Sequence, residues 1–249
     1  MDNPPTPTPF PPTPTVAPDA NRADNVPSSW QGAFKLYAFS KAAIMVNIKP
    51  VIGLLLLQIV VSGVVSTVEK GTPAYTITSL ASTLISVWLS IAMTVLMIAG
   101  VKNIKKSFGE SLQESGRFYI SYFLLGILTG IIAVASFVLF IIPFFIIVPR
   151  LVLAEYYLVN ENMGVIDSLK ASWNATQNHT GKVWGVIGVT ILMALIAITI
   201  IGLPIAIYLL VMYSAAFVVL YFYLKQNEAP ATAPIEGPSV NDSPAGPSV

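Results

Sequence analysis

The sequence predicts an all-α integral membrane protein with six transmembrane helices, arranged as three repeats of a cytoplasmic amphipathic helix followed by a transmembrane hairpin. Three observations lead there. Of 249 residues, 55% are hydrophobic and only 10% charged, with a mean hydropathy of +0.74, whereas soluble domains carry about 25% charged residues. Apolar stretches near 20 residues, the length that crosses a bilayer core, recur six times along the chain. Proline and charge also divide the chain into three parts. Residues 1–29 hold nine of the 19 prolines, and residues 226–249 hold five more among Ala, Ser and Gly. Both ends are too poor in apolar residues to offset ordering entropy, so 1–29 and 226–249 are expected to be disordered cytoplasmic tails. The tails sum to −5, and the membrane domain between them, 30–225, has twelve basic and six acidic residues, a net +6.

The predicted spans are Pro50–Val68, Ile77–Val101, Phe118–Phe140, Pro143–Val159, Val183–Ile201 and Pro204–Leu224. The fourth and sixth open on proline, which suits the first turn of a helix because its missing N–H has no partner there anyway. Ile141-Ile142-Pro143 and Gly202-Leu203-Pro204 therefore read as tight turns between antiparallel helices. One unbroken helix over 118–159 would be about 63 Å long, twice the bilayer core.

Three short amphipathic stretches precede the hairpins. The first is 32–48. In the second, 107–116, Ile104, Phe108, Leu112 and Ser115 share a face, Ser107 with Glu110 forms a capping box, and Gly116 ends the helix. In the third, 164–177, the stripe is Val165, Ile166, Leu169, Ser172, Trp173 and Thr176, with Gly164 and Asp167 at the cap positions. Such helices are expected to lie along the membrane surface. Glu110-Ser111-Leu112 with Ser115 aligns with Asp167-Ser168-Leu169 with Ser172, and Pro143 aligns with Pro204, which defines the internal repeat. A looser first copy runs from 32 to 101.

Lysine and arginine set the orientation. Lys35, Lys41, Lys49, Lys102, Lys105, Lys106, Arg117, Lys170, Lys182 and Lys225 fall on one side of this topology, and Lys70 on the other. Both termini are accordingly placed in the cytoplasm, with the protein multi-pass in a bacterial cytoplasmic membrane.

The candidate site residues are few. Arg150 interrupts an apolar stretch, where a charge costs at least ~2.5 kcal/mol, and its neighbours one turn away are Ile146, Ile147, Leu153 and Ala154. It is a candidate lipid or ligand contact. Either it snorkels to outer-leaflet phosphate, or it faces the bundle and pairs with an anionic ligand or a hydroxyl such as Ser86, Ser90, Thr94, Thr129 or Ser136. Glu155, Tyr156 and Tyr157 form a candidate secondary polar site, set against the alternative of interfacial anchors. His179 reads as a solvated turn residue. With no cysteine and one histidine, thiolate chemistry and multi-histidine metal sites are excluded. No phosphate loop, carboxylate pair or nucleophilic triad is present, so neither a catalytic residue nor a cofactor is expected.

Residues 150–186, RLVLAEYYLVNENMGVIDSLKASWNATQNHTGKVWGV, resemble a known pattern, carried by Arg150, Glu161, Asp167, Ser168, Leu169, Ser172 and Trp173. It is similar to the polytopic membrane domain associated with some bacterial glycerophosphoryl diester phosphodiesterases and with related uncharacterised membrane proteins. The hydrolase of the fused proteins is a separate soluble barrel with paired acids, histidines and a metal, and nothing in this chain corresponds to it. The resemblance therefore implies a stand-alone membrane domain without the phosphodiesterase activity. The expected role is a non-catalytic module that organises lipid or partner proteins, with membrane lipids as partners and no nucleic acid. The alternative is a small transporter or channel with a buried site around Arg150.

Overall fold

In the computed structural model the described residues are 25–139, 141–196 and 202–227. The expectations for residues 1–24 and 228–249, for residue 140 and for 197–201 lie outside them, while Ile141-Ile142-Pro143 and Gly202-Leu203-Pro204, expected as tight turns, are helical, because a proline in the first turn leaves the helical ladder intact. Ahead of Trp30, Asn25 is already tied to the body of the protein, its main-chain N–H bonding Val101 O at 3.2 Å and its side chain Gly100 O at 3.0 Å.

The described residues form α-helices joined by short turns, with one 3-10 turn at Ala33–Lys35. The helices are α1 (Leu36–Val46), α2 (Ile48–Ser66), α3 (Pro73–Val101), α4 (Phe108–Leu139), α5 (Ile141–Leu151), α6 (Ala154–Glu161), α7 (Val165–Gln177), α8 (Thr180–Ile196), α9 (Gly202–Tyr213) and α10 (Ala216–Asn227). Five helical segments are long and apolar enough to cross a membrane, counting α5 with α6 and α9 with α10 as one each. A sixth is added if α7 and α8, bent by 99°, count together.

Local chemistry explains the ends. Thr72 caps α3 by accepting from Tyr75 N–H at 3.1 Å, and Pro73 takes the first helical position. At the other end Asn103 adopts φ 57°. Its N–H bonds Gly100 O at 3.0 Å and the Ile104 N–H bonds Ala99 O at 2.7 Å, the paired closure of a left-handed helix cap. The expected capping box opens α4, with Ser107 N–H on Glu110 Oε2 at 2.8 Å and Glu110 N–H on Ser107 Oγ at 3.3 Å. Gly164 caps α7 through its backbone alone, its carbonyl accepting from Ser168 N–H at 2.9 Å.

The structure corrects several expectations. Gly116 does not end a surface helix, because α4 runs unbroken through it for 32 residues. An internal glycine costs only about 1 kcal/mol, less than leaving a helix end's carbonyls unpaired beside an apolar phase. The buried face of this segment is Ser111, Ser115 and Phe118 rather than Ile104, Phe108 and Leu112. In α7 it is Ser168, Leu169, Ser172, Ala175 and Thr176, while Ile166 is exposed. The fourth and sixth spans are each interrupted, at Val152–Leu153 and at Ser214–Ala215.

The first amphipathic stretch, expected at the surface, is packed into the protein. Leu36, Ser40, Ala43 and Ile44 of α1, spaced as one helical face, are each at most 2% exposed and meet α3, α9 and α10. The approach to α3 is close enough that only glycine fits at position 100, against the Ala43 backbone. At the corner into α2, the buried Asn47 side chain donates to Ile104 O at 2.9 Å and accepts from Lys106 N–H at 2.9 Å. The core gathers α1, the second half of α3, α6, α7 and α10. From Val218 to Leu224, α10 is buried on every side. By contrast α2, the first half of α3, α4 and α8–α9 present large apolar side chains outward, such as Ile59 at 66%, Ile77 at 70% and Val138 at 77% exposed. A surface of that kind needs lipid or another protein to cover it.

Candidate functional site

Polar side chains collect in three places. The first surrounds Arg150, at the C-terminal end of α5. Its carbonyl is one of the last four in that helix, which have no intrahelical donor. It accepts from Ser172 Oγ at 2.6 Å and from Thr176 Oγ1 at 3.3 Å, both on α7. The guanidinium stacks over the Trp173 ring at 4.5 Å, a contact worth about 0.5–2 kcal/mol depending on desolvation. Its Nε is buried without a hydrogen-bond partner among the described residues. The partner that the structure supplies is thus an aromatic face on α7, the third predicted amphipathic helix.

The second place holds Glu155 and Tyr156 of α6. Tyr122 Oη, from α4, donates to Glu155 Oε2 at 2.6 Å. Tyr156 and Thr94 of α3 lie close to this pair. A cavity of about 280 Å³ lies alongside, walled by Glu155, Tyr122, Gly126 and Thr129. The arrangement holds a carboxyl group with one phenolic donor in a largely apolar wall, which suits a cation or a proton. Tyr157 belongs elsewhere: its ring meets Tyr221 edge-on at 4.8 Å.

The third place is where α3, α6 and α10 end together. Lys225 Nζ binds Glu161 Oε1 at 2.7 Å, and Tyr221 Oη donates to the same oxygen. Asn160 Nδ2 donates to Tyr221 Oη at 2.9 Å. Lys106 pairs with Glu114 of α4. Lys102 lies over the Phe222 ring at 5.7 Å, and burial, with Lys225 and Lys106 nearby, pushes its ammonium below the ordinary lysine range. On the far side of α10, Lys182 lies over Tyr223 at 4.8 Å and over Trp30 at 5.7 Å. The sequence reading placed Lys102, Lys106, Lys182 and Lys225 on one side of the protein, and these contacts bring them to one end of α10.

This third cluster was not singled out as a site from the sequence. One signal was there: Tyr157 and Glu161, like Tyr221 and Lys225, are four residues apart and share a helix face. What the sequence did not contain is the pairing of the two faces. His179 sits in the turn between α7 and α8, where its N–H bonds Thr176 O at 3.0 Å. Among the described residues there is no group of acids and histidines able to hold a metal.

The fold and these clusters define an all-helical protein with several helices long and apolar enough to span a membrane, and with four lysines gathered near one end of α10. No protein-family model, no curated protein and no solved structure matches the chain.

Proposed function

We propose that the chain is a non-catalytic multi-pass module of a bacterial cytoplasmic membrane that organises lipid or partner proteins. In this reading it is a counterpart of the phosphodiesterase-associated membrane domain that its 150–186 segment resembles. The observation that carries it is the division of the surface. Hairpin helices turn broad apolar faces outward, while the end bearing Lys102, Lys106, Lys182 and Lys225 is tightly packed. A packed end bearing these lysines on an apolar stem is suited to holding anionic headgroups or an acidic partner at the membrane surface.

The three-unit architecture belongs to the same proposal and has its own support. Ser40 of α1 donates to Met212 O at 2.6 Å, the second carbonyl from the end of α9. Ser172 of α7 does the same to Arg150 O, the second from the end of α5. The N-terminal part of α4 meets α3 through Trp88 Nε1 on Leu112 O at 3.2 Å. Besides packing on its own unit, each amphipathic segment thus bonds the second arm of another: α1 that of the third unit, α4 that of the first and α7 that of the second. These bonds support a cyclic arrangement of three units.

The test is native purification with identification of co-purified lipids and proteins, beside a flux assay in liposomes. The module reading expects a defined lipid or protein complement and no solute flux above empty vesicles. Saturable flux would overturn it in favour of the transporter. That second reading has one observation on its side, the Glu155–Tyr122 pair beside its 280 Å³ cavity. Flux by wild type that is lost in Glu155→Gln would locate its site there rather than around Arg150.

A further inference from the structure

The packed end has a charge imbalance. Five ionised side chains converge there, Lys102, Lys106 and Lys225 against Glu114 and Glu161. Glu114 is taken by Lys106 and Glu161 by Lys225. Lys102 is left without an ion pair among the described residues, although it is half-buried. It lines a cavity of about 130 Å³ with Asn160 and with the Lys106–Glu114 pair. Asn160 contributes the complementary feature. Tyr221 gives its only proton to Glu161, so its oxygen can accept from Asn160 but cannot donate to it. That fixes the Asn160 amide with Nδ2 on Tyr221, and its Oδ1 is buried without a hydrogen-bond partner. The cavity is therefore bordered by an unpaired cation and by a residue whose buried acceptor is unpaired.

We infer that this cavity binds a phosphate group that also offers a hydrogen-bond donor, with the phosphate on Lys102 and Lys106 and the donor on Asn160 Oδ1. The inference rests on the lipid-organising reading and specifies its ligand. A glycerol phosphate headgroup supplies both features, and so does inorganic phosphate, which keeps an O–H at neutral pH. Phosphatidylcholine supplies neither the net charge nor a donor. The ammonium of Lys102, which has no carboxylate of its own, is the group that gains most from an arriving anion.

The test uses the full chain, purified in detergent and stripped of lipid. Binding of phosphatidylglycerol and of phosphatidylcholine is followed by native mass spectrometry, with inorganic phosphate as competitor. Wild type and Lys70→Gln, whose lysine is exposed in the α2–α3 turn, should bind phosphatidylglycerol saturably and at least tenfold more tightly than phosphatidylcholine. Lys102→Gln should lose about tenfold. Competition by millimolar phosphate would show that the phosphate alone suffices, and failure to compete would assign the ligand to the lipid, either of which supports the site. Equal binding of the two lipids, or wild-type affinity in Lys102→Gln, overturns it. If Lys102→Gln does not yield folded protein, Asn160→Asp replaces it. It sets a carboxylate against the phosphate and must weaken binding, and undiminished binding overturns the inference. Flux by the wild-type protein would sink the organising role while leaving the binding result intact, so the two failures are distinguishable.

Discussion

Ser172 Oγ donates to the main-chain carbonyl of Arg150 at 2.6 Å, across 22 residues of sequence, with Thr176 Oγ1 on the same oxygen at 3.3 Å. A helix on one element thereby closes the end of a helix on another. Leaving that carbonyl unpaired should cost about 1–3 kcal/mol. Ser172→Ala combined with Thr176→Val is expected to lower the thermal midpoint in detergent by that equivalent. Ser40→Ala, at Met212, should act the same way. Ser115→Ala is the control: among the described residues its hydroxyl bonds Leu112 O of its own helix, a carbonyl that keeps Trp88 Nε1 as a donor, so its loss should be clearly smaller than that of Ser172→Ala with Thr176→Val.

Two glycines should respond oppositely to alanine. A Cβ at Gly100 would overlap the Ala43 carbonyl oxygen and lie 2.9 Å from its carbon, so α1 would have to leave α3. Gly100→Ala is expected to cost about 3 kcal/mol or more, as overpacking against rigid backbone does. A Cβ at Gly116 meets nothing within 4 Å, and the helix continues through it. Gly116→Ala should be neutral or stabilising by up to about 1 kcal/mol. Thermal unfolding of the two variants side by side decides this, and similar effects would refute the assigned packing.

The Arg150–Trp173 stack predicts a coupling that a simple charge would not give. In a double-mutant cycle of Arg150→Met and Trp173→Leu, the coupling energy should be about 0.5–2 kcal/mol. Arg150→Lys should recover only part of it, because an ammonium lacks the planar face that lies over the indole. A coupling of zero would show that the two side chains act independently.

Lys102 makes stability depend on pH in a defined direction. Burial, then Lys225 and Lys106, lower its folded-state value from 10.5. Between that lowered value and 10.5 the unfolded chain binds more protons than the folded one, so stability should rise with pH there. Below the folded value the cost of charging Lys102 is fully present. In lipid-free detergent, Lys102→Met is therefore expected to be more stable than wild type at neutral pH. The difference should shrink as pH rises toward 10. A destabilised Lys102→Met would contradict this assignment.

Orientation is open to direct labelling, since the chain has no cysteine. Cysteines placed at residues 20 and 240 should be silent to an impermeant thiol reagent in intact cells. One at Thr72, which caps α3 beside the turn holding Lys70, should react. The reverse pattern would invert the proposed topology.

What the sequence determined by itself was local. The membrane class came from composition. Several helix ends were legible because their chemistry lies within a few residues: the Ser107–Glu110 box, Gly164 before α7, and prolines in the first turns of α5 and α9. The residues of the Arg150 and Glu155 clusters were legible as anomalies, polar groups inside apolar stretches. Their partners were not, because Trp173 and Tyr122 reach them from other helices. Tertiary structure decided which apolar helices face outward and which are buried. It enclosed α10 on all sides, drew α1 inward and left α2 and α4 exposed. Hydropathy carries no such information, because hydrocarbon and a packed protein interior are about equally apolar to a leucine. The breaks at 152–153 and 214–215 and the joining of Glu161 to Lys225 across 64 residues depend on hydroxyls and charges brought from distant segments. Only the folded chain sets those distances.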